Sequence, residues 1–496
     1  MSTYLAIDIG TTSAKASLYD LDGELLASRT ADYPLHHPHP GWAEQDPNAY
    51  WDAAQSLCGA LLALTRNPPV RAVCVSGQAP SCIPVDRDGE PLRKAILWLD
   101  RRATREVEFL RNRLGLEEAA ARSGNTLDGY FGGPKALWLK ANEPEIWKRT
   151  WKILQANGFV IHRLTGEAVL DPSHAGLMSP FWNAGSRTWD QSICNLLDIP
   201  LDCLPSVFPS TSIVGQVTRA AAEATGIPAG TPVICGGGDF ACACLGAGVS
   251  SAGSAAMMLG TAGNLLVPGP GRNDPRLINT VHVTGDPLRL GGVMAGGAVR
   301  WFGDMLRTSE PDLFATLDAE AEAVPPGASG LVFLPYLLGE RTPIWDPHAR
   351  GAFIGLSGGH HRGHLYRAVL EGVAFAFRQM AEIVAEAGSP IREVIAVNGG
   401  AKSPLWRKIF ADVLGVPVRY RPASGGTVLG AAYLACVGAG DAKGFQAIEG
   451  WLEKPVETAP SARVAAIYDQ QYGVFRDLYG RLRESFGILA GASDRQ

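Results

Sequence analysis

The run YLAIDIGTTSAKASLY at residues 4–19 decides the fold. Tyr4–Ile9 and Ala14–Tyr19 are short apolar runs separated by Gly10-Thr11-Thr12, and Glu24–Arg29 follows after Asp20-Leu21-Asp22-Gly23. Turn residues between such runs predict a tight antiparallel meander. Asp8 closes the first run, where an unpaired carboxylate is costly to bury, and it directly precedes a turn rich in free amides and hydroxyls. A bound cation would resolve that cost. The turn amides can then receive phosphate oxygens, with donors added by Thr11, Thr12 and Ser13 and charge neutralised by Lys15. The bland alternative, a hairpin whose Asp8 accepts bonds from its own turn, stays equally open on this stretch alone.

Outward from that hairpin, Asp46-Pro47 predicts a capped helix through Leu64, because aspartate satisfies free amides and proline suits the first helical position. Arg71–Ser76 is an apolar, β-branched run ending at Gly77, so strands and helices alternate and the class is α/β. A second opening of the same kind lies far downstream: Ala255–Leu259, then Gly260-Thr261-Ala262-Gly263, then Leu265–Val267. Two related lobes, each begun by a Gly-Thr hairpin, imply a cleft. Val394–Val397 reads as a strand followed by Asn398-Gly399-Gly400, and Ser403–Leu414 as a helix stopped by Gly415. In His364–Glu386 the apolar residues Leu365, Val369, Val373, Phe377, Met380 and Val384 keep the spacing of a core-facing helix.

Composition bounds the function. A chain of 496 residues with 46% hydrophobic and 19% charged residues can build sizeable cores, which excludes disorder as its main state. Lysine plus arginine number 44 against 49 acids, a formal charge of -5, and no basic stripe suggests a nucleic-acid partner. Nine cysteines lack paired C-x-x-C spacing and suit a reducing cytosol. The start shows no basic leader and carries Asp8 inside its apolar run, so the expected location is the cytoplasm. Residues 240–271 carry no charge and are long enough to span a bilayer, but they are rich in glycine, alanine and serine. A Gly-rich core segment, with no membrane contact, is expected instead.

Gly260-Thr261 could hold the same polyphosphate as the first turn, while Asn398-Gly399-Gly400 would let a flat base approach the backbone closely. Nucleotide binding becomes the favoured reading. Asp239 follows Gly236-Gly237-Gly238 and is the only charge between Thr231 and Gly271. In phosphoryl transfer an aspartate that accepts the attacking hydroxyl's proton, with magnesium on the phosphates, completes the constellation. A helix-capping aspartate after a glycine turn is the plainer reading, and the two roles are not exclusive.

Those stretches resemble the FGGY carbohydrate kinases from about Tyr4 to about Ala435. The most specific piece is Gly351-Ala352-Phe353-Ile354-Gly355-Leu356, then seven residues, then 364–371, HLYRAVLE. GWAEQDP (41–47), LWLDRR (97–102), GERTP (339–343) and GGAKSPLW (399–406) support it, the last two looking most like that family's xylulokinases. A further signature around Tyr130–Asn142 is partial, with Gly132 where proline, serine or threonine is usual. The resemblance implies two actin-like, ribonuclease-H-like lobes around a central nucleotide and sugar cleft. It places an N-terminal lobe at 1–235, joined by a C-terminal helix at 460–490, and an ATP-binding lobe at 236–455. Asp8 looks like the family's magnesium-associated carboxylate, with Asp239 also near the metal, and Gly10, Thr11, Thr12 and Lys15 lie near the polyphosphate. Gly260 and Thr261 match the second phosphate loop, Gly296 and Arg300 flank the nucleotide, and Gly399, Gly400 and Ala401 match the adenosine site. Asp239 matches the catalytic base. The sugar would be gripped by Gln78, Ala79, Pro80, Trp98, Asp100, Tyr130, Asp239 and Phe240.

The implied activity is ATP- and Mg²⁺-dependent phosphorylation of a primary hydroxyl of a small sugar or polyol, a D-xylulose-like ketopentose first. Ribulose, a tetritol or pentitol, and glycerol are the other acceptors in view. An actin-like ATP-binding sensor without sugar phosphorylation is the alternative of another class. Because dimers are common in the family, a homodimer is compatible. Xylulokinases usually carry Met-His after the glutamine and glycerol kinases Arg-Glu, whereas this chain has Ala79-Pro80. Neither side chain can pair a sugar hydroxyl, and Phe240 replaces a commonly polar residue. An unpaired buried hydroxyl costs about 1–3 kcal/mol, so a different hydroxyl pattern or a less polar face is expected. His360, His361 and His364 read as loop and helix-start residues, and His36, His37 and His39 as an exposed connection. Trp98 stacks on a sugar or packs in the core; Arg101-Arg102 is either a phosphate patch or a pair with Asp100 or Asp86.

Overall fold

A computed structural model describes residues 2–306, 310–422 and 425–493. The opening meander forms as β1 (Thr3–Ile9), β2 (Ser13–Asp20) and β3 (Leu25–Asp32). Helix α1 (Pro47–Leu64) starts at Asp46, whose carboxylate accepts the Asn48 amide at 3.0 Å. Next come β4 (Val70–Gly77), α2 (Gly132–Asn142), α3 (Ala156–Thr165) and the single turn α4 (Pro172–Ala175). Then follow β5 (Ile213–Gln216), β6 (Pro232–Gly238) and α5 (Asp239–Gly246). The first sheet has the order β5-β6-β4-β1-β2-β3, with β1 antiparallel to β2 and parallel to β4, and β4 parallel to β6. Leu5, Ile7 and Ile9 pack with Leu57 and Leu61 of α1 and Phe159 of α3 in its core.

The second half repeats that plan. It contains β7 (Ser254–Leu259), β8 (Ala262–Pro268), β9 (Ile278–Val281) and β10 (Pro287–Met294). After α6 (Gly296–Leu306), α7 (Leu313–Glu322) and α8 (Arg362–Glu386) come β11 (Glu393–Val397), α9 (Pro404–Leu414) and β12 (Val418–Tyr420). The chain ends with α10 (Gly426–Gly438), β13 (Val456–Thr458) and α11 (Ala465–Ser493). The second sheet runs β9-β10-β8-β7-β11-β12-β13; β7 is antiparallel to β8 and parallel to β11, as β1 is to β2 and β4. Five of the six predicted positions on α8 (Val369, Val373, Phe377, Met380, Val384) are buried in this half's core, and Leu365 packs against it.

The chain divides into two compact units, 1–250 with 279–288 and 425–452, and 251–278 with 289–424 and 453–496. This differs from the expected division at 235/236. Residues 236–250 stay with the first unit because α5 continues directly from β6. Residues 425–452 return to it because α10 packs on α5 and Trp451 meets Tyr4 and Tyr19 at 6.2 and 6.1 Å between ring centroids. The C-terminal helix, expected with the N-terminal lobe, belongs to the second unit. Its Tyr468, Tyr472 and Phe475 surround Phe375 of α8, and the Tyr468 hydroxyl donates to Glu371 at 3.0 Å. The uncharged stretch becomes α5, β7 and β8, and among the described residues no helix is long and apolar enough to cross a membrane.

Candidate active site

In the first unit, the strand register gathers the predicted carboxylates at the carboxyl ends of parallel strands, where α/β sheets bind ligands. Asp8 on β1 lies opposite Lys15 on β2 and beside Ser76 on β4, and Ser76 in turn neighbours Gly237 on β6. Asp239 follows as the first residue of α5. Three glycines precede it for steric reasons. Gly236 sits at φ +71°, where a Cβ would be 2.0 Å from the Val75 carbonyl oxygen, and Cβ atoms on Gly237 and Gly238 would strike Val283 and Phe240.

The first turn is braced so that its acceptors face inward. Tyr33 and Gln78 donate to the Gly10 carbonyl at 2.6 and 3.1 Å, Gln45 to that of Thr11 at 2.6 Å, and the Tyr33 amide to that of Thr12 at 3.2 Å. With every carbonyl of the turn engaged, the Thr11 and Thr12 amides donate to nothing among the described residues. That arrangement leaves donors for an anion, as a backbone nest requires. Lys15 is exposed.

Asp8 and Asp239 are each half-buried, and both are held above the usual carboxylate range. For Asp8 the main cause is burial, then the negative charge of Asp239, against smaller opposing help from the Ser76 hydroxyl at 2.9 Å and from Lys15. For Asp239 it is burial, opposed by the Phe240 amide at 2.6 Å and by His174. His174 and its α4 neighbours were not legible as site residues. Asp171 caps α4 and binds His174 Nδ1, and Ser173 Oγ accepts the Gly238 amide at 2.8 Å, which ties α4 to the base of Asp239.

A raised carboxyl favours the protonated folded state, so its stabilising contribution is complete below the ordinary value near 4 and is lost as pH rises toward about 7. Without added cation, Asp8→Asn should therefore match the native protein near pH 4 and exceed its melting temperature by about 2 °C or more at pH 8. Thermal scans across pH check this; a variant less stable than the native protein at pH 8 would refute the repulsion.

The expected sugar residues divide. Trp98 is half-buried and donates from its indole nitrogen to Thr11 Oγ1 at 3.0 Å. Tyr130 is 5% exposed, its hydroxyl meets the Ala79 carbonyl at 3.4 Å, and Ala79 and Pro80 are buried. Phe240 is half-buried beside Asp239. Gln78 is fully buried and braces the first turn and Gln45, with Oε1 left unpaired. Asp100, also expected at the sugar, anchors Arg102: its two oxygens accept the Arg102 amide, Nε and Nη2 at 2.7–2.9 Å and the Ala43 amide at 2.6 Å. The pair reading of Arg102 therefore holds, while Arg101 lies half-buried with its guanidinium 5.9 Å from the Tyr130 ring. Lys135, absent from the sequence reading, is buried and donates to the Gly129 and Tyr130 carbonyls at 2.6 Å, fixing the segment that carries Tyr130.

In the second unit the remaining predicted residues form another constellation. The Gly296 and Gly297 amides bind the Gly260 and Thr261 carbonyls at 2.9 Å, and a Cβ on Gly296 would lie 2.5 Å from the Gly260 oxygen. Glycine there lets α6 start on the β7–β8 turn. Thr261, Met294, Gly297, Arg300, Trp301, Asp304 and Met305 line a cavity of about 690 Å³. Gly400 sits against Leu259, where a Cβ would come within 2.9 Å, so the turn at Gly399–Lys402 adjoins the β7–β8 turn. Ala401 is fully buried and contributes to the core. Asn398 before it has φ 72° and ψ −175°, a combination nearly confined to glycine that costs about 1–3 kcal/mol.

Residues 3–246 and 254–439 match the N-terminal and C-terminal domains of the FGGY family of carbohydrate kinases. The chain is 33% identical over 489 residues to a xylulose kinase of Escherichia coli, covering 97% of this chain and 99% of that one. It is also 33% identical to a xylulose kinase of Bacillus subtilis, covering 97% and 96%. The crystal structure of xylulose kinase from Rhodospirillum rubrum superposes with a TM-score of 0.93 at 34% identity, covering 98% of this chain and all of that chain.

Proposed function

The chain belongs to the FGGY family of carbohydrate kinases, with its actin-like fold, and from that premise we propose that it phosphorylates a primary hydroxyl of D-xylulose or a similar open-chain ketopentose. The observation that carries the chemistry is the mutually repelling pair Asp8 and Asp239 beside a turn whose amides are left as donors. The relatives support xylulose as the acceptor, and the site residues support the following mechanism.

Phosphoryl transfer asks little covalent work of a protein and much positioning. Asp239 accepts the proton of the attacking hydroxyl as the oxygen bonds to the γ-phosphorus and ADP leaves. Its elevated proton affinity suits a base acting late in a loose transition state. The Thr11 and Thr12 amides and Lys15 stabilise phosphate charge in the first unit, and the Gly260–Thr261 turn and Arg300 do so in the second. Trp98, Tyr130 and Phe240 offer the sugar apolar faces, and Arg101, 5.9 Å from the Tyr130 ring, a cationic one.

Two neighbouring carboxylates, Asp8 and Asp239, fit Mg²⁺, which takes one or two carboxylates and completes its shell with phosphate and water. Asp8, with Asp239 beside it, would hold that ion, which when bound neutralises phosphate charge. Nine free cysteines support a reducing, cytoplasmic setting.

A coupled ADP-release screen over ketoses and polyols tests the assignment. D-xylulose should give the highest kcat/KM, and glycerol at least about tenfold less for want of matched hydroxyls. ATP hydrolysis that no sugar accelerates would replace the kinase by a nucleotide-dependent sensor.

A further inference from the structure

Asn398 occupies a backbone region that side chains avoid, with φ 72° and ψ −175°. The extended ψ lies outside the left-handed helical well that asparagine tolerates, so the residue type does not ease the conformation. Its side chain is exposed, and among the described residues no hydrogen bond of that side chain offsets the strain. Glycine would fit this position at no steric cost.

The placement of the side chain explains what the strain achieves. Asn398 follows β11, which runs parallel to β7 with Val397 level with Met258, and so it emerges beside the β7–β8 turn. Its Nδ2 lies 3.9 Å from the position a Cβ on Gly260 would take. Thr261, the next residue of that turn, lines the cavity that also holds Arg300 and Trp301. The side-chain amide therefore stands at the junction of the two glycine turns of the second unit.

We propose that Asn398 is a nucleotide-positioning residue whose Nδ2 donates to a phosphate oxygen of the bound nucleotide at the Gly260–Thr261 turn. The inference rests on the nucleotide reading of that turn. A neutral donor adds a hydrogen bond without a competing counter-charge, and strain at a ligand clamp is retained when the contact it sets is used.

Two substitutions separate this role from a structural one. Asn398→Gly removes both the strain and the amide; Asn398→Asp keeps the shape but loses both donors and adds negative charge. Calorimetric titration with MgATP, thermal scans of the ligand-free protein and the sugar KM are read together. Asn398→Gly should melt about 2 °C or more higher than the native protein, bind MgATP about three- to tenfold more weakly, and keep its sugar KM. Asn398→Asp should lose tens of fold in MgATP affinity. An Asn398→Gly protein with native MgATP affinity overturns the proposal, as does one whose sugar KM and MgATP affinity weaken together. Gly296→Val serves as the control for the parent reading. If it abolishes MgATP binding while Asn398→Gly does not, only the role of Asn398 falls; if neither changes binding, the nucleotide assignment of this turn falls with it.

Discussion

Asp239→Asn should lower kcat by about 10²–10⁴-fold while MgATP affinity stays within a few fold of native, because a positioned general base contributes in that range and the amide is nearly isosteric. Asparagine cannot take the hydroxyl proton, yet it removes the charge that burial and Asp8 make costly, so the variant should also melt no lower than the native protein. Steady-state kinetics on the preferred sugar, with MgATP titration, reads both effects. Near-native kcat would remove Asp239 from the base role, and loss of MgATP binding in parallel would make it a nucleotide residue first.

The second large effect concerns what holds Asp239 in place. Helix α5, which Asp239 begins, crosses α10 at closest backbone approach. A Cβ on Gly430 would lie 1.9 Å from the Cys242 carbonyl oxygen, and one on Gly246 would lie 2.1 Å from that of Gly426. Backbone oxygens cannot rotate aside, so Gly430→Val must part the helices and move α5. We expect a loss of about 3 kcal/mol or more, the upper end of overpacking penalties, together with lost turnover. Gly487→Ala on the exposed C-terminal helix, where nothing lies within 4 Å of the added carbon, should be neutral or stabilising by up to about 1 kcal/mol. Denaturant unfolding of the pair checks the contrast; a Gly430→Val protein as stable as Gly487→Ala would show that the crossing is looser than described.

Local punctuation was legible in the sequence, and distant partners were not. The first hairpin, α1 and α9 announced themselves through Gly10-Thr11-Thr12, the Asp46-Pro47 start, and the Ser403 and Gly415 caps, all features acting within a few residues. The echo between the two halves was readable because each repeats the same Gly-Thr turn between strands. What braces the first turn was hidden: Tyr33, Gln45 and Gln78 reach Gly10 and Thr11 from 23 to 68 residues away. Asp100 shows the same limit, since its charge is visible in the chain but its engagement by Arg102 and the Ala43 amide depends on tertiary packing. The C-terminal helix carries an aromatic face, and periodicity cannot say which core that face will cover. Asn398 was visible as a residue before two glycines, but its strained backbone exists only in the folded chain.

The most direct test is a crystal structure of the protein with ADP, Mg²⁺ and D-xylulose. The account predicts a carboxylate oxygen of Asp239 about 2.6–3.2 Å from the sugar's primary hydroxyl and diphosphate oxygens on the donors of a glycine-threonine turn. Sugar density remote from residue 239, or that carboxylate rotated away from a bound acceptor, would contradict it.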